Sequence, residues 1–188
     1  TGLDVLSHAI ESIWNKENNF ITSINALQAI LICVEVLPNL LRNLDSLEYR
    51  TEMAKASILA GMAFSQTKTA AAHSLSYPLT LFHKIPHGYA CSITLGVMFE
   101  YNFSIDQNEL SEVLSLFQTK YGDKSTSFYV CFNRFLDDCG CPKKLGDFQV
   151  RLDDVPKLVE NAFHPDRFNN MMYTLSEKEV KNIYERLF

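Results

Sequence analysis

Glycine is scarce in this chain, seven in 188 residues, and none falls into a G-x-G-x-x-G or Walker spacing between a strand pattern and a helix pattern. That excludes a phosphate-cradling loop among these residues, because such a loop needs backbone amides that approach phosphate without a Cβ in the way. Basic clusters are also few: 17 Lys and Arg stand against 22 Asp and Glu, for a formal charge of −5. Without a basic stripe interleaved with aromatics, nucleic acid is not the expected partner. No apolar stretch reads as long and charge-free enough to span a bilayer and no signal-peptide pattern opens the chain, so no membrane partner is expected either. Strand-like alternation, internal repeats and low-complexity tracts are missing too, which argues against a sheet or a solenoid. The five cysteines, Cys33, Cys91, Cys131, Cys139 and Cys141, sit mostly in apolar helical runs. An odd number so placed fits reduced core thiols of a cytoplasmic protein better than a disulfide framework. Cys139-Gly140-Cys141-Pro142 lacks the two-residue gap of a zinc knuckle and has no second pair to complete a site, so it reads as a turn.

What the chain has in quantity is helical periodicity. Hydrophobic residues make up 47% of it, enough for one domain with a sizeable core. Between Ile21 and Leu41, apolar residues recur at three- and four-residue spacing through Ile24, Leu27, Ile30, Leu31, Val34 and Leu37, predicting a long central helix. Another amphipathic helix is predicted from an N-cap at Asp45, through Leu47, Met53 and Ala56, toward Gly61. Further helices are expected from His87 to about Tyr101, from about Glu109 to Lys120, and over the stripe from Phe128 to Leu136. Asp154 with Pro156 and the capping box of Ser176 with Glu179 announce two more. The fold class expected is all-α, one helical domain over residues 1–188.

Three imidazoles and a carboxylate stand out within these apolar surroundings: Asp4, His8, His73 and His87. The four-residue offset of Asp4 and His8 puts both side chains on one helix face, close enough to share an ion. His73 lies in an Ala-rich run, and His87 follows a helix that Pro78 kinks or ends, in a Pro86-His87-Gly88 corner. Taken singly, the first pair reads equally as a salt bridge and His73 as a hydrogen-bonded core histidine. Burying all four without partners is costly, and a divalent metal would satisfy them together. His83 and Lys84 read as exposed turn residues, and His164 as surface or packing.

The motifs around these residues carry a resemblance. Gly2-Leu3-Asp4-Val5-Leu6-Ser7-His8-Ala9-Ile10-Glu11-Ser12, Ala72-His73-Ser74-Leu75-Ser76-Tyr77-Pro78-Leu79 and Ile85-Pro86-His87-Gly88-Tyr89-Ala90-Cys91 resemble the iron-dependent (group III) alcohol dehydrogenase family. The resemblance covers essentially the whole chain as that family's C-terminal helical domain, of the dehydroquinate synthase-like fold. It implies Asp4, His8, His73 and His87 as ligands of Fe(II) or another divalent metal such as Zn or Ni. It also implies NAD(P) bound by an N-terminal domain outside this chain, which begins with Thr and reads as a piece of a larger protein. The implied reaction is hydride transfer between a nicotinamide and a small alcohol or aldehyde, with the metal polarising the substrate oxygen. These residues alone are then expected to be inactive, and the resemblance leaves room for a homodimer.

One position departs from the family pattern. Many members carry a second His four residues beyond the third ligand, where this chain has Tyr77. Tyr77 is read as packing, with donation of its hydroxyl to a substrate as the alternative. The stretch Phe64-Ser65-Gln66-Thr67-Lys68-Thr69, with Ser76 to Thr80, is similar to the branch that handles phosphonoacetaldehyde and 2-hydroxyethylphosphonate. Lys68 and Thr67 would supply the cation and the hydroxyl donor that a phosphonate needs, against the alternative of a solvated Lys at a helix end. Two other readings remain at this stage: a non-catalytic helical metal-binding or interaction module, and a related lyase or cyclase of the same two-domain plan.

Overall fold

The computed structural model describes residues 1–163, 165–171 and 173–188, so His164 lies outside the described residues. Among the described residues ten α-helices follow in order: α1 (Gly2–Ile13), α2 (Phe20–Arg42), α3 (Leu47–Thr67), α4 (Ala71–His83), α5 (His87–Phe103), α6 (Asn108–Tyr121), α7 (Phe128–Asp138), α8 (Val155–Ala162), α9 (Pro165–Phe168) and α10 (Glu177–Glu185). Two short 3₁₀ turns precede α8, and the described residues contain no strand beyond an isolated bridge between Asn15 and Met171. The all-α expectation holds.

The ends of the helices show why the chain folds locally this way. Asn19 begins α2 by accepting from the amides of Ile21 and Thr22. Ser46, one residue beyond the expected Asp45, caps α3. At the end of α7 the Cys141 amide donates to the Leu136 carbonyl and the Gly140 amide to that of Asp137, with Gly140 at φ +62°. That is a Schellman ending, and it makes Cys139 to Pro142 the turn expected of it. Ser176 and Glu179 form the capping box of α10. Pro78, however, neither ends nor interrupts α4, which runs on to His83. Its ring removes the amide that would bond the Ser74 carbonyl, and the same stretch is tied to its neighbours by Ser74 Oγ, which donates to Ala162 O at 2.7 Å, and by Tyr184 Oη, which donates to Leu75 O at 2.7 Å.

The long helix α2 corrects the expectation that no stretch is long and apolar enough to cross a bilayer. By length and composition it is, with a mean hydropathy of 1.9 over its most apolar window. Here it packs along α1 and α3, and Ala26, Ala29, Ile30, Cys33 and Val34 are buried against them. A second part of the core is aromatic, where Phe117 of α6 and Phe128, Phe132 and Phe135 of α7 close on Phe99 of α5. Between these two regions runs α5, and the N-terminal ends of α1, α4 and α5 meet.

Candidate metal centre

Each of three polar residues enters from the first turn of a different helix: Asp4 from α1, His73 from α4 and His87 from α5. Asp4 Oδ1 lies 3.4 Å from His73 Nε2 and 3.5 Å from His87 Nε2. Cys91, one turn beyond His87 on the same face of α5, brings its Sγ to 3.6 Å from His87 Nε2. Donor atoms of Asp4, His73, His87 and Cys91 all lie within 4.8 Å of one another. Donors bound tetrahedrally at zinc-like bond lengths stand about 3.3–3.6 Å apart, so the two edges from Asp4 to the histidines are those of a first coordination shell, whereas Cys91 Sγ, also 3.8 Å from His87 Nδ1, lies beside that ring.

Glu11 explains how His73 is aimed. It is almost wholly buried on α1, and Nδ1 of His73 donates to its Oε2 at 2.6 Å. The same carboxylate accepts from the amides of Ala70 at 3.0 Å and His73 at 3.2 Å. Ala70, the N-cap of α4, has no side chain to offer, so Glu11 caps that helix from across the fold. With Nδ1 committed to Glu11, Nε2 of His73 turns toward Asp4. There it is buried without a hydrogen-bond partner, as is Asp4 Oδ1. Two unpartnered buried polar atoms facing each other are costly unless something satisfies both. A divalent cation fits that place, and a carboxylate behind the distal nitrogen of a histidine is the arrangement that orients a metal ligand.

His8 sits differently. Its Nε2 is 3.6 Å from Asp4 Oδ1, but its ring stacks on His73 at 4.3 Å and on Phe64 at 4.2 Å. In nearly parallel rings the in-plane lone pairs run side by side, so His8 and His73 do not converge on one point as they stand. The electrostatics separate the two imidazoles as well. Burial and the neighbouring His73 push His8 down to about 4, whereas His73 is raised, because Glu11 and Asp4 outweigh the cost of burying its charge. Glu11 and Asp4 are both lowered despite burial, with His73 the main opposing cause. Burial alone would raise the Cys91 thiol, yet the adjacent imidazoles of His73 and His87 bring it below its ordinary value.

The three residues named for a substrate are placed differently from one another. Thr67 is fully buried, and its hydroxyl lies 3.1 Å from Ser12 Oγ inside the core. It is turned away from solvent because the last turn of α3 packs on α1, so it has no access to a phosphonate. Tyr77 is 38% exposed and does not pack in the core: its ring lies 5.9 Å from that of His87, and the Arg167 guanidinium covers it at 4.1 Å. Lys68 is exposed at the rim, in a backbone conformation, φ 64° and ψ 177°, that side-chain-bearing residues rarely adopt. Asn15 Nδ2 holds the Lys68 carbonyl at 3.4 Å, and Asn170 Nδ2 holds that of Thr69 at 2.8 Å. Such strain costs about 1–3 kcal/mol and persists where surrounding contacts over-determine it. Lys68, Thr69, Arg167, Asn169 and Asn170 line an open cleft of about 430 Å³. His83 is half-buried, 4.0 Å from Asp154, while Lys84 is the exposed left-handed turn residue expected of it.

Glu11 and Cys91 are the residues that reading the sequence passes over. Glu11 carries a faint signal, since positions 4, 8 and 11 share one helix face and a carboxylate on an otherwise apolar face needs a partner. Cys91 stands four residues after His87 and resembles any core thiol until α5 is placed. At Gly88 an added Cβ would make ordinary contact, 3.5 Å from the Asp4 amide, so the corner does not depend on the missing side chain.

The sulfoacetaldehyde reductase of Bifidobacterium kashiwanohense, solved with NAD+, superposes with a TM-score of 0.87 at 29% identity, over 99% of this chain and 48% of that one. Residues 1–188 match the C-terminal part of the Fe-containing alcohol dehydrogenase family, and the chain belongs to that family. Among curated relatives, 1,3-propanediol dehydrogenase of Klebsiella pneumoniae is 29% identical across the whole chain and half its own length. Alcohol dehydrogenase 4 of Saccharomyces cerevisiae is 30% identical over 87% of the chain and 43% of its own length. The chain thus spans about half the length of the relatives it matches.

Proposed function

We propose that this domain is the metal- and substrate-binding half of an NAD(P)-dependent alcohol dehydrogenase or aldehyde reductase. The observation that carries the reading is the pair of buried, unpartnered atoms, Asp4 Oδ1 and His73 Nε2, facing each other beside His87. Asp4, His73 and His87 hold a divalent ion there, with His8 the further ligand that the family resemblance implies. The ion, Fe(II) or Zn or Ni, supplies Lewis-acid polarisation of the substrate oxygen during hydride transfer from or to a nicotinamide held by an N-terminal domain. Glu11 keeps the Nδ1 proton of His73 in place, and the stack of Phe64 on His8 shields one side of the centre from water. Metal analysis of the purified protein beside a His73→Ala, His87→Ala double variant tests the ligand set. The wild type is expected to retain about one ion per chain and the variant to lose it through dialysis against chelator, since both the charge balance and the geometry go. Equal metal in both removes the assignment.

The substrate reading is a short aldehyde bearing an anionic group, phosphonoacetaldehyde being the example implied by the Lys68 stretch. The open cleft supports it, because Lys68 and Arg167 line the same space and the Tyr77 ring that Arg167 covers also neighbours His87. A sulfonated aldehyde, named for one relative, presents the same kind of anion. In the full-length protein, Lys68→Ala and Arg167→Ala are each expected to raise KM for phosphonoacetaldehyde about 10–100-fold, the loss of one charge-assisted contact. KM for an uncharged aldehyde of similar length should stay within about twofold. Parallel losses on both substrates count against an anion clamp, and wild-type turnover of simple aldehydes alone rejects the phosphonate while leaving the dehydrogenase reading intact.

A further inference from the structure

We infer that Tyr77 is a positioning residue that sets substrate choice: its ring holds the Arg167 guanidinium in register with the metal centre, where it selects short aldehydes bearing an anion over uncharged ones. The inference rests on the anion-clamp reading above and gives a role to a ring that the core does not use. The Arg167 guanidinium carbon lies 4.1 Å from the centre of the Tyr77 ring, within reach of a cation–π contact. The same ring is 5.9 Å from that of His87 and inclined to it by 31°. Tyr77 also stands one turn beyond His73 on α4, so the helix that delivers a ligand to the centre carries the platform for the arginine as well. The backbone that bears Arg167 is fixed independently. Phe168 is buried and stacks on Phe163 at 5.0 Å, and Asn170, which holds the Thr69 carbonyl, accepts from the Lys16 amide at 3.0 Å. What is left to be held is the arginine side chain itself.

The need for such a hold follows from the length of the substrate. In phosphonoacetaldehyde or sulfoacetaldehyde one carbon separates the carbonyl from the anionic group, so the distance from the carbonyl oxygen to the anion is nearly fixed. A cation on a long side chain with many rotamers meets that anion only after losing freedom, and the ring removes much of that cost before the substrate arrives. An uncharged aldehyde gains nothing from the arrangement. The aromatic face is what matters, because its negative potential attracts the guanidinium, while an aliphatic side chain offers only contact area.

The test uses the full-length protein loaded with metal, and reads kcat/KM for phosphonoacetaldehyde and for sulfoacetaldehyde, each relative to propanal. Tyr77→Leu is expected to lower that ratio about 3–30-fold for the preferred anionic aldehyde, the loss of one cation–π contact. Tyr77→Phe, which keeps the ring and drops the hydroxyl, should hold it within about twofold. In an Arg167→Ala background, Tyr77→Leu should lower the ratio by less than about twofold more, because the two residues act as one unit. A reduced ratio in Arg167→Ala with an unchanged ratio in Tyr77→Leu overturns the positioning role and spares the clamp. Equal losses in Tyr77→Phe and Tyr77→Leu overturn it too, since the hydroxyl rather than the ring is then the active group. An unchanged ratio in Arg167→Ala, or a wild type that prefers neither anionic aldehyde to propanal, overturns both the positioning role and the clamp. Tyr77 is 38% exposed, so its replacement leaves the core intact, and propanal turnover by each variant reports that the fold and the centre are present.

Discussion

Replacing Glu11 by alanine is expected to destabilise the protein by about 3–5 kcal/mol and to weaken metal retention by about 10–100-fold. Both effects come from one buried carboxylate with three tasks. It accepts from two amides at the start of α4, and it pairs with His73 Nδ1 at 2.6 Å where neither side chain reaches solvent. Truncation leaves two amides and an imidazole N–H without acceptors, each costing about 1–3 kcal/mol when buried. It also frees His73 to adopt the other tautomer, which would point a proton at Asp4. Glu11→Gln separates the two roles: the amide oxygen can still accept from the backbone, so less stability is lost than in the alanine variant, while the charge behind His73 is gone. Urea unfolding in chelator measures the first effect and competition with a metal indicator the second. A loss under about 1 kcal/mol in Glu11→Ala would mean that water replaces the carboxylate, contrary to its burial.

The second large effect is expected far from the site. Phe117→Ala should cost about 3–5 kcal/mol, the transfer term of a buried ring plus the cavity it leaves. Phe117 is fully buried and meets Phe128 edge-on at 4.8 Å and Phe135 edge-on at 5.7 Å, with Phe132 at 5.9 Å. Edge-to-face pairs add to the area term, and three rings cannot all relax into one vacancy. The denaturation midpoint should fall while metal content at low denaturant stays at the wild-type level. The centre is built by α1, α4 and α5, whereas Phe117 secures α6 to α7. Loss of metal in the folded variant would show that the two regions are one cooperative unit with the site, and that α5 transmits the damage.

Much of this was legible in the residues. The three-four spacing from Ile24 to Leu37 makes a helix because any other backbone period scatters those side chains. Ser176 with Glu179 begins α10 as local hydrogen-bond chemistry requires. The Asp4 and His8 pair, and the ordered motifs around His73 and His87, carried the family. Less legible were features that depend on what lies opposite. Pro78 reads as a break, yet α4 continues through it to His83, with the stretch before it tied to α8 and α10. Thr67 reads as a donor at a helix end, and the turn of α3 onto α1 spends its hydroxyl on Ser12. The apolar length of α2 does not say which of its faces is core: α1 and α3 cover Ala26, Ile30, Cys33 and Val34, while Ile24 and Leu31 stay exposed.

The sequence by itself determined the all-α class, most helix boundaries, the family, and that Asp4 and His8 share a face within one helix. Helical period sets that pair, and it needs no knowledge of the rest of the chain. Only the tertiary structure decided which faces meet. It turned Nε2 of His73 toward Asp4 by placing Glu11 behind it, set His8 in a stack, brought Cys91 into the cluster, and put Arg167 over Tyr77. Those outcomes depend on packing among α1, α4, α5 and α9, which brings together residues as far apart in sequence as Tyr77 and Arg167. No local spacing encodes the direction in which a lone pair finally points.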